Sequence, residues 1–155
     1  MSKSDKELTA EKSFLSYKRQ LINKLGSKAL YDDEINKVGK LMFKGKWNGA
    51  NTHDKVKFKT GYQVVNTGSS KGSGIHWVGI YITPKVMYVY DSYARNTNSI
   101  LKKLEARAIK NKKTIIESDR NDAEQKGFTS EVCGHLSLSW LLVIKNRGIS
   151  PALLI

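Results

Sequence analysis

His76-Trp77-Val78-Gly79-Ile80-Tyr81-Ile82-Thr83-Pro84-Lys85-Val86-Met87-Tyr88-Val89-Tyr90-Asp91 is the stretch that decides the fold. β-branched and aromatic residues fill both halves, and Pro84-Lys85 divides them. That pattern predicts two strands, His76 to Thr83 and Val86 to Tyr90, joined as a hairpin. In an antiparallel pair the outer ends lie side by side. The histidine that opens one strand therefore faces the aspartate that closes the other.

Helical patterns lie upstream. Phe14, Tyr17, Leu21 and Leu25 share one face of a helix from about Thr9 to Leu25, with Gly26 placed to close it. A second helix starts near Asp32; Asp32, Asp33 and Glu34 crowd its first turn, as the helix dipole favours. Ile35, Val38, Leu41 and Met42 form its apolar face, and Lys37, Lys40 and Lys44 a basic stripe beside it, while Gly39 weakens it. Residues 45–54 read as loop. Lys55-Val56-Lys57-Phe58-Lys59 alternates strictly and predicts a half-buried strand, followed by a short strand from Tyr62 to Val65. Thr67 to Gly74 reads as a flexible loop whose glycines lack the strand-then-helix context of a phosphate loop.

Downstream of the hairpin, Ile100, Leu101, Leu104 and Ala108 predict the inner face of a helix from about Asn98 to Asn111. Thr114-Ile115-Ile116 predicts a buried strand, and Ser118 to Glu131 a polar loop. The run after Cys133 predicts a buried helix from about Val132 to Lys145, ending near Gly148. Residues 1–8 and 149–155 read as frayed ends. The whole is one domain over residues 1–155, an α+β fold with helices flanking a small, mainly antiparallel sheet.

The 155 residues include 27 Lys and Arg against 14 Asp and Glu, a formal net charge of +13. Such a bias suggests an anionic partner, nucleic acid first, or a solvated lysine-rich surface. A single cysteine excludes an internal disulfide and fits a reducing, intracellular compartment. No apolar stretch preceded by basic residues opens the chain, so no signal peptide is expected. The longest apolar run is too short to span a bilayer, and no membrane role is expected.

The lone thiol, Cys133, stands in Glu131-Val132-Cys133-Gly134-His135 at the start of the last predicted helix. Unpaired N–H groups and the dipole stabilise a thiolate at such a terminus. Each candidate taken singly has an ordinary reading: Cys133 as a small buried hydrophobe, His76 as a satisfied sheet histidine, Asp91 as a turn residue, Gln125 as loop surface. Taken jointly they supply a nucleophile, a base, an orienting carboxylate and an amide donor. Acyl transfer by a cysteine hydrolase needs those four parts. No Cys, His and carboxylate cluster has zinc-ligand spacing, so no metal is indicated, and the chemistry requires no cofactor.

Several segments resemble the adenovirus-type maturation cysteine protease family (adenain), within the superfamily of the SUMO-deconjugating proteases. Val65-Asn66-Thr67-Gly68 followed by Gly74-Ile75-His76-Trp77 resembles the approach to that family's His-Trp pair. Tyr88-Val89-Tyr90-Asp91-Ser92 resembles the strand that ends in the acid, and Asp122-Ala123-Glu124-Gln125 through Cys133-Gly134 resembles the glutamine and nucleophile segment. Tyr31-Asp32-Asp33-Glu34-Ile35 is similar to the acidic start of an early helix. The likeness spans roughly residues 30–147. Its chain order, His, Asp, Gln, Cys, differs from the papain-type order.

The resemblance implies an adenain-like proteinase fold with the nucleophile at a helix N-terminus. It implies Cys133 as nucleophile, His76 as base and then acid, Asp91 as orienter, and Gln125 with the Cys133 N–H as oxyanion donors. Trp77 would shield the histidine from water, while His53 and His135 carry no catalytic role. The implied activity is cleavage of viral capsid precursors at glycine-containing sites, in the virion and the infected cell, by a monomer. DNA, bound through nonspecific basic patches, is an implied activator. A viral activating peptide would have to bind noncovalently, because no second cysteine exists for a disulfide link. Compact size and lysine-rich composition point to a small DNA virus of virophage or Polinton type. Two other functions suit the same sequence: an isopeptidase removing ubiquitin-like modifiers, and a non-enzymatic basic DNA-binding module.

Overall fold

A computed structural model describes residues 5–66, 76–91, 99–118 and 132–155. The predicted loop over Thr67 to Gly74 and nearly all of the predicted loop that carries Gln125 lie outside the described residues. The elements are α1 (Asp5–Leu25), α2 (Asp32–Phe43), β1 (Trp47–Thr52), β2 (Gly61–Asn66), β3 (Trp77–Ile82), β4 (Val86–Tyr90), α3 (Ser99–Lys110), β5 (Thr114–Glu117), α4 (Cys133–Arg147) and α5 (Ile149–Ala152). The strands form one five-stranded sheet in the order β1-β2-β3-β4-β5.

The architecture is α+β, but the sheet is mixed rather than mainly antiparallel. The β2–β3 and β3–β4 pairs are antiparallel, whereas β1–β2 and β4–β5 at the edges are parallel. Parallel neighbours need a crossover in place of a tight turn. Helix α3 supplies one between β4 and β5. The other runs through residues 53–60, which the sequence reading divided between loop and strand.

Lys55–Lys59 is not a strand. His53–Lys55 forms a 3-10 turn, and the chain beyond it is irregular. The buried Gln63 amide occupies both main-chain polar groups of Lys57, donating to its carbonyl at 2.7 Å and accepting from its N–H at 3.3 Å. The alternation is real: Val56 and Phe58 pack under the sheet while the lysines stay exposed. A side-chain amide simply satisfies that backbone in place of a neighbouring strand. Arg107 of α3 pins the crossover, donating to the His53 carbonyl at 2.6 Å and lying over the Phe58 ring.

Residues 47–52, expected as loop, form β1. Asn36 of α2 holds this strand, its Oδ1 accepting from Trp47 Nε1 at 3.0 Å and from the Ala50 N–H at 2.9 Å. The suspect glycine of α2 turns out to be required. A Cβ on Gly39 would meet the Trp47 indole at 2.2 Å, so the ring can lie on the helix only because that atom is missing.

Alternate residues of the central strands face two cores. Val65, Val78, Ile80, Ile82, Met87 and Val89 pack with Leu104 and Ala108 of α3. Trp77, Tyr90 and Val64 face α1, α2 and α4 on the other side. Helix α4 is buried from Cys133 to Ile144, as an element apolar on every face must be. The end of the chain is not frayed: Ala152 is fully buried, and its carbonyl accepts the Trp140 indole N–H at 2.9 Å. Helix α1 likewise extends four residues further towards the N-terminus than its sequence-read start at Thr9. Strand β5 is half-buried rather than buried, as suits an edge.

Replacing Gly39 by Ala should destabilise the protein by about 1–3 kcal/mol through overpacking against Trp47. Urea unfolding followed by tryptophan fluorescence measures the loss, and unchanged stability would contradict the contact.

Candidate active site

The first pair of site residues comes from the β3–β4 hairpin. His76 immediately precedes β3 and Asp91 immediately follows β4, and the ladder between them pairs Gly79 with Tyr90. The hairpin ends therefore meet: His76 Nε2 and Asp91 Oδ1 lie 2.6 Å apart, and both side chains are buried. A short contact of this kind in a dry setting is a charge-assisted hydrogen bond.

Helix α4 brings the third residue. Cys133 is its first residue, so the thiol sits where the helix presents unpaired N–H groups. The Cys133 sulfur accepts the Trp77 backbone N–H at 3.3 Å, and Cys133 is near enough to His76 to act on its titration. Positions 76, 91 and 133, far apart in the chain, thus converge. Gln125 lies outside the described residues, and its role rests on the resemblance alone.

Burial works against a charged imidazole at His76 and is the largest single influence. The bonds to Asp91 and Cys133, with the negative charges of both, outweigh it and raise the pKa from 6.5 to about 9. Such an imidazole is protonated at neutral pH and can share a site with a thiolate. A carboxylate, an imidazolium and a thiolate in sequence can attack a carbonyl carbon and return a proton to a leaving group.

Trp77 ties several elements together. Its ring is buried, and its Nε1 donates to the Leu30 carbonyl at 2.9 Å, tying the segment before α2 to the start of β3. A cavity of about 180 Å³ adjoins it, lined by Tyr31, Asp32, Asn51, Thr52 and Asn66 among others. Sequence reasoning missed the Trp77 main-chain donor, which carries no side-chain signature; only its position directly after the histidine hinted at it.

His135 is fully buried, with Nε2 2.7 Å from the Gly26 carbonyl. Burial lowers its pKa, against the opposing pull of the Gly26 and Val132 backbone and of Glu34. His53 lies in the 3-10 turn before the crossover. Among the described residues no group of three or more His, Cys, Asp and Glu could hold a metal ion, and no helix is long and apolar enough to cross a membrane.

No protein-family model and no curated protein matches the chain. Among solved structures it is similar to the central domain of the uncharacterized Lpg1148 protein from Legionella pneumophila, with 12% sequence identity, 81% of each chain covered and a TM-score of 0.46. A likeness at that level says nothing of chemistry.

The two buried histidines give opposite pH dependences. His76 binds its proton more tightly when folded, so its contribution to stability is complete below about pH 6.5 and is lost as pH rises through about 9. His135 is held neutral, so its contribution is present above about pH 6.5 and is lost as pH falls. NMR titration should find the His76 ring changing charge near pH 9 in the wild type and at a distinctly lower pH in Asp91→Asn. Identical midpoints would contradict the pairing.

Proposed function

We propose that the protein is a cysteine endopeptidase of adenain type that matures virus particles by cutting capsid precursors at glycine-containing sites. One observation carries this reading: the buried His76 imidazole is bonded to Asp91 and stands beside Cys133 at a helix N-terminus, whose sulfur accepts the N–H of the next residue, Trp77. A purely structural cysteine needs neither partner.

The steps follow from the positions. The Cys133 thiolate attacks the scissile carbonyl carbon, a C–S bond forms, and the carbonyl electrons move to oxygen. The Cys133 N–H and the Gln125 side-chain amide hold that oxyanion. The C–N bond then breaks as the leaving amine takes a proton from the His76 imidazolium, leaving a thioester. Water attacks the thioester while His76 removes its proton; the acid departs, and thiolate and imidazolium are restored. With Nε2 committed to Asp91, Nδ1 is the nitrogen that carries the proton. The cavity beside Trp77 gives an extended substrate segment room, and glycine, which has no side chain, suits a narrow approach to a buried sulfur.

Nucleic-acid contact accompanies this reading. Lys37 and Lys40 on α2, Lys44 in the 3-10 turn that follows it, and Lys55, Lys57 and Lys59 on the crossover are all exposed. Together with the +13 charge they favour a salt-sensitive, sequence-independent grip on DNA that retains the enzyme in the particle.

The wild type should cleave glycine-containing particle proteins or peptides, and Cys133→Ala should abolish cleavage; cleavage retained in that variant would end the proposal. Gln125→Ala should lower kcat by about 100-fold or more, the cost of one oxyanion donor. Efficient capture by a ubiquitin-like modifier bearing a C-terminal thiol-reactive group would instead favour the isopeptidase function. DNA binding with no cleavage under any condition would leave the basic module alone.

A further inference from the structure

We infer that Ser137 is a positioning residue for the nucleophile, its hydroxyl bond to the Trp77 carbonyl fixing the seat of α4 on β3 and so holding the Cys133 sulfur against His76. The inference rests on the reading of Cys133 and His76 as a thiolate–imidazolium pair.

Residues four apart on a helix share a face, so Cys133 and Ser137 point the same way, one turn apart. Both reach the main chain of one residue. The Trp77 N–H donates to the Cys133 sulfur at 3.3 Å, and the Ser137 hydroxyl donates to the Trp77 carbonyl at 3.1 Å. Trp77 lies beyond the β3–β4 ladder, which pairs from Gly79 onwards. At this point α4 side chains answer both polar groups of the strand. Trp77 also follows His76 directly, so whatever holds Trp77 to α4 holds the imidazole to the thiol.

Ser139 provides a contrast within the same helix. Both serines are fully buried. The Ser139 hydroxyl bonds back to the His135 carbonyl at 2.7 Å, four residues earlier, which is the usual resort of a helical serine. Ser137 forgoes that local bond and reaches across to β3. Two residues along β3, Gly79 completes the seat: a Cβ there would lie 3.2 Å from the Ser137 carbonyl oxygen and 3.4 Å from Trp140. With the helix packed closely at Gly79 and bonded at Trp77, the sulfur has little freedom to drift. Misplacement by about 1 Å can cost on the order of 100-fold in rate.

The test is the pH dependence of Cys133 alkylation by iodoacetamide, measured on the whole protein for wild type, Ser137→Ala and Ser139→Ala. Burial scales the rate, whereas ionisation sets the midpoint, so the midpoint reports the pairing. Ser137→Ala adds no bulk, and Ser139→Ala removes an equally buried hydroxyl bond without touching β3. The expected result is a midpoint raised by about one pH unit in Ser137→Ala, with roughly tenfold slower alkylation near neutral pH, and an unmoved midpoint in Ser139→Ala. A wild-type midpoint retained in Ser137→Ala, or an equal shift in both variants, overturns the positioning role and leaves the protease reading intact. A wild type that titrates like an isolated thiol, near pH 8.5, removes the ion pair and the inference with it.

Discussion

The close approach of α4 to β3 is the constraint on which the rest depends. It is permitted at Gly79, where any side chain would crowd the helix backbone and Trp140. It is reinforced where Trp140 stacks on Tyr90, their ring centroids 5.4 Å apart, and where Phe14 of α1 meets Tyr90 edge-on. A buried helix must be packed on every side, and α4 meets that demand with β3 beneath it and α1 and α5 around it. Its N-terminus is thereby delivered to the open end of the β3–β4 hairpin, where a histidine and an aspartate already face each other. The candidate site thus rests on core packing in which Gly79 allows the close contact.

The electrostatics follow from the same packing. Isolated buried charges are costly, and they persist only when paired and hydrogen-bonded. His76 meets that condition from two sides, and for this reason its proton is held more tightly than in water despite burial. His135, two residues past Cys133 on the same helix, is buried against a neutral carbonyl and gives up its proton more readily. Their environments, not their residue type, make one a charge carrier and the other a structural bond.

Much of this was legible in the sequence, for identifiable reasons. The hairpin showed because β-branched and aromatic runs flank a Pro-containing turn, and the meeting of His76 with Asp91 follows from hairpin geometry alone. Helix α4 showed through its apolar run, and Cys133 fell at its first residue. The parallel edges did not show. Trp47-Asn48-Gly49-Ala50-Asn51-Thr52 has poor strand propensity, and the Asn36 side chain and pairing with β2 hold it in the sheet. Lys55 to Lys59 carries a strand's alternation, but the Gln63 amide takes the place of a partner strand, a long-range substitution that no local pattern encodes. The folded tail depends on the Trp140 indole finding the Ala152 carbonyl, again a contact between distant surfaces. Gln125, the fourth member of the proposed machinery, stands on the resemblance alone.

The most direct measurement is intact-protein mass spectrometry after rapid acid quench, with the wild type and His76→Ala turning over a glycine-containing peptide substrate. An acyl half of the substrate joined to Cys133 as a thioester in the wild type, and absent from His76→Ala, is the expected result. An adduct that forms equally without His76, or peptide cleavage with no adduct on Cys133, would contradict a nucleophile activated by the imidazole beside it.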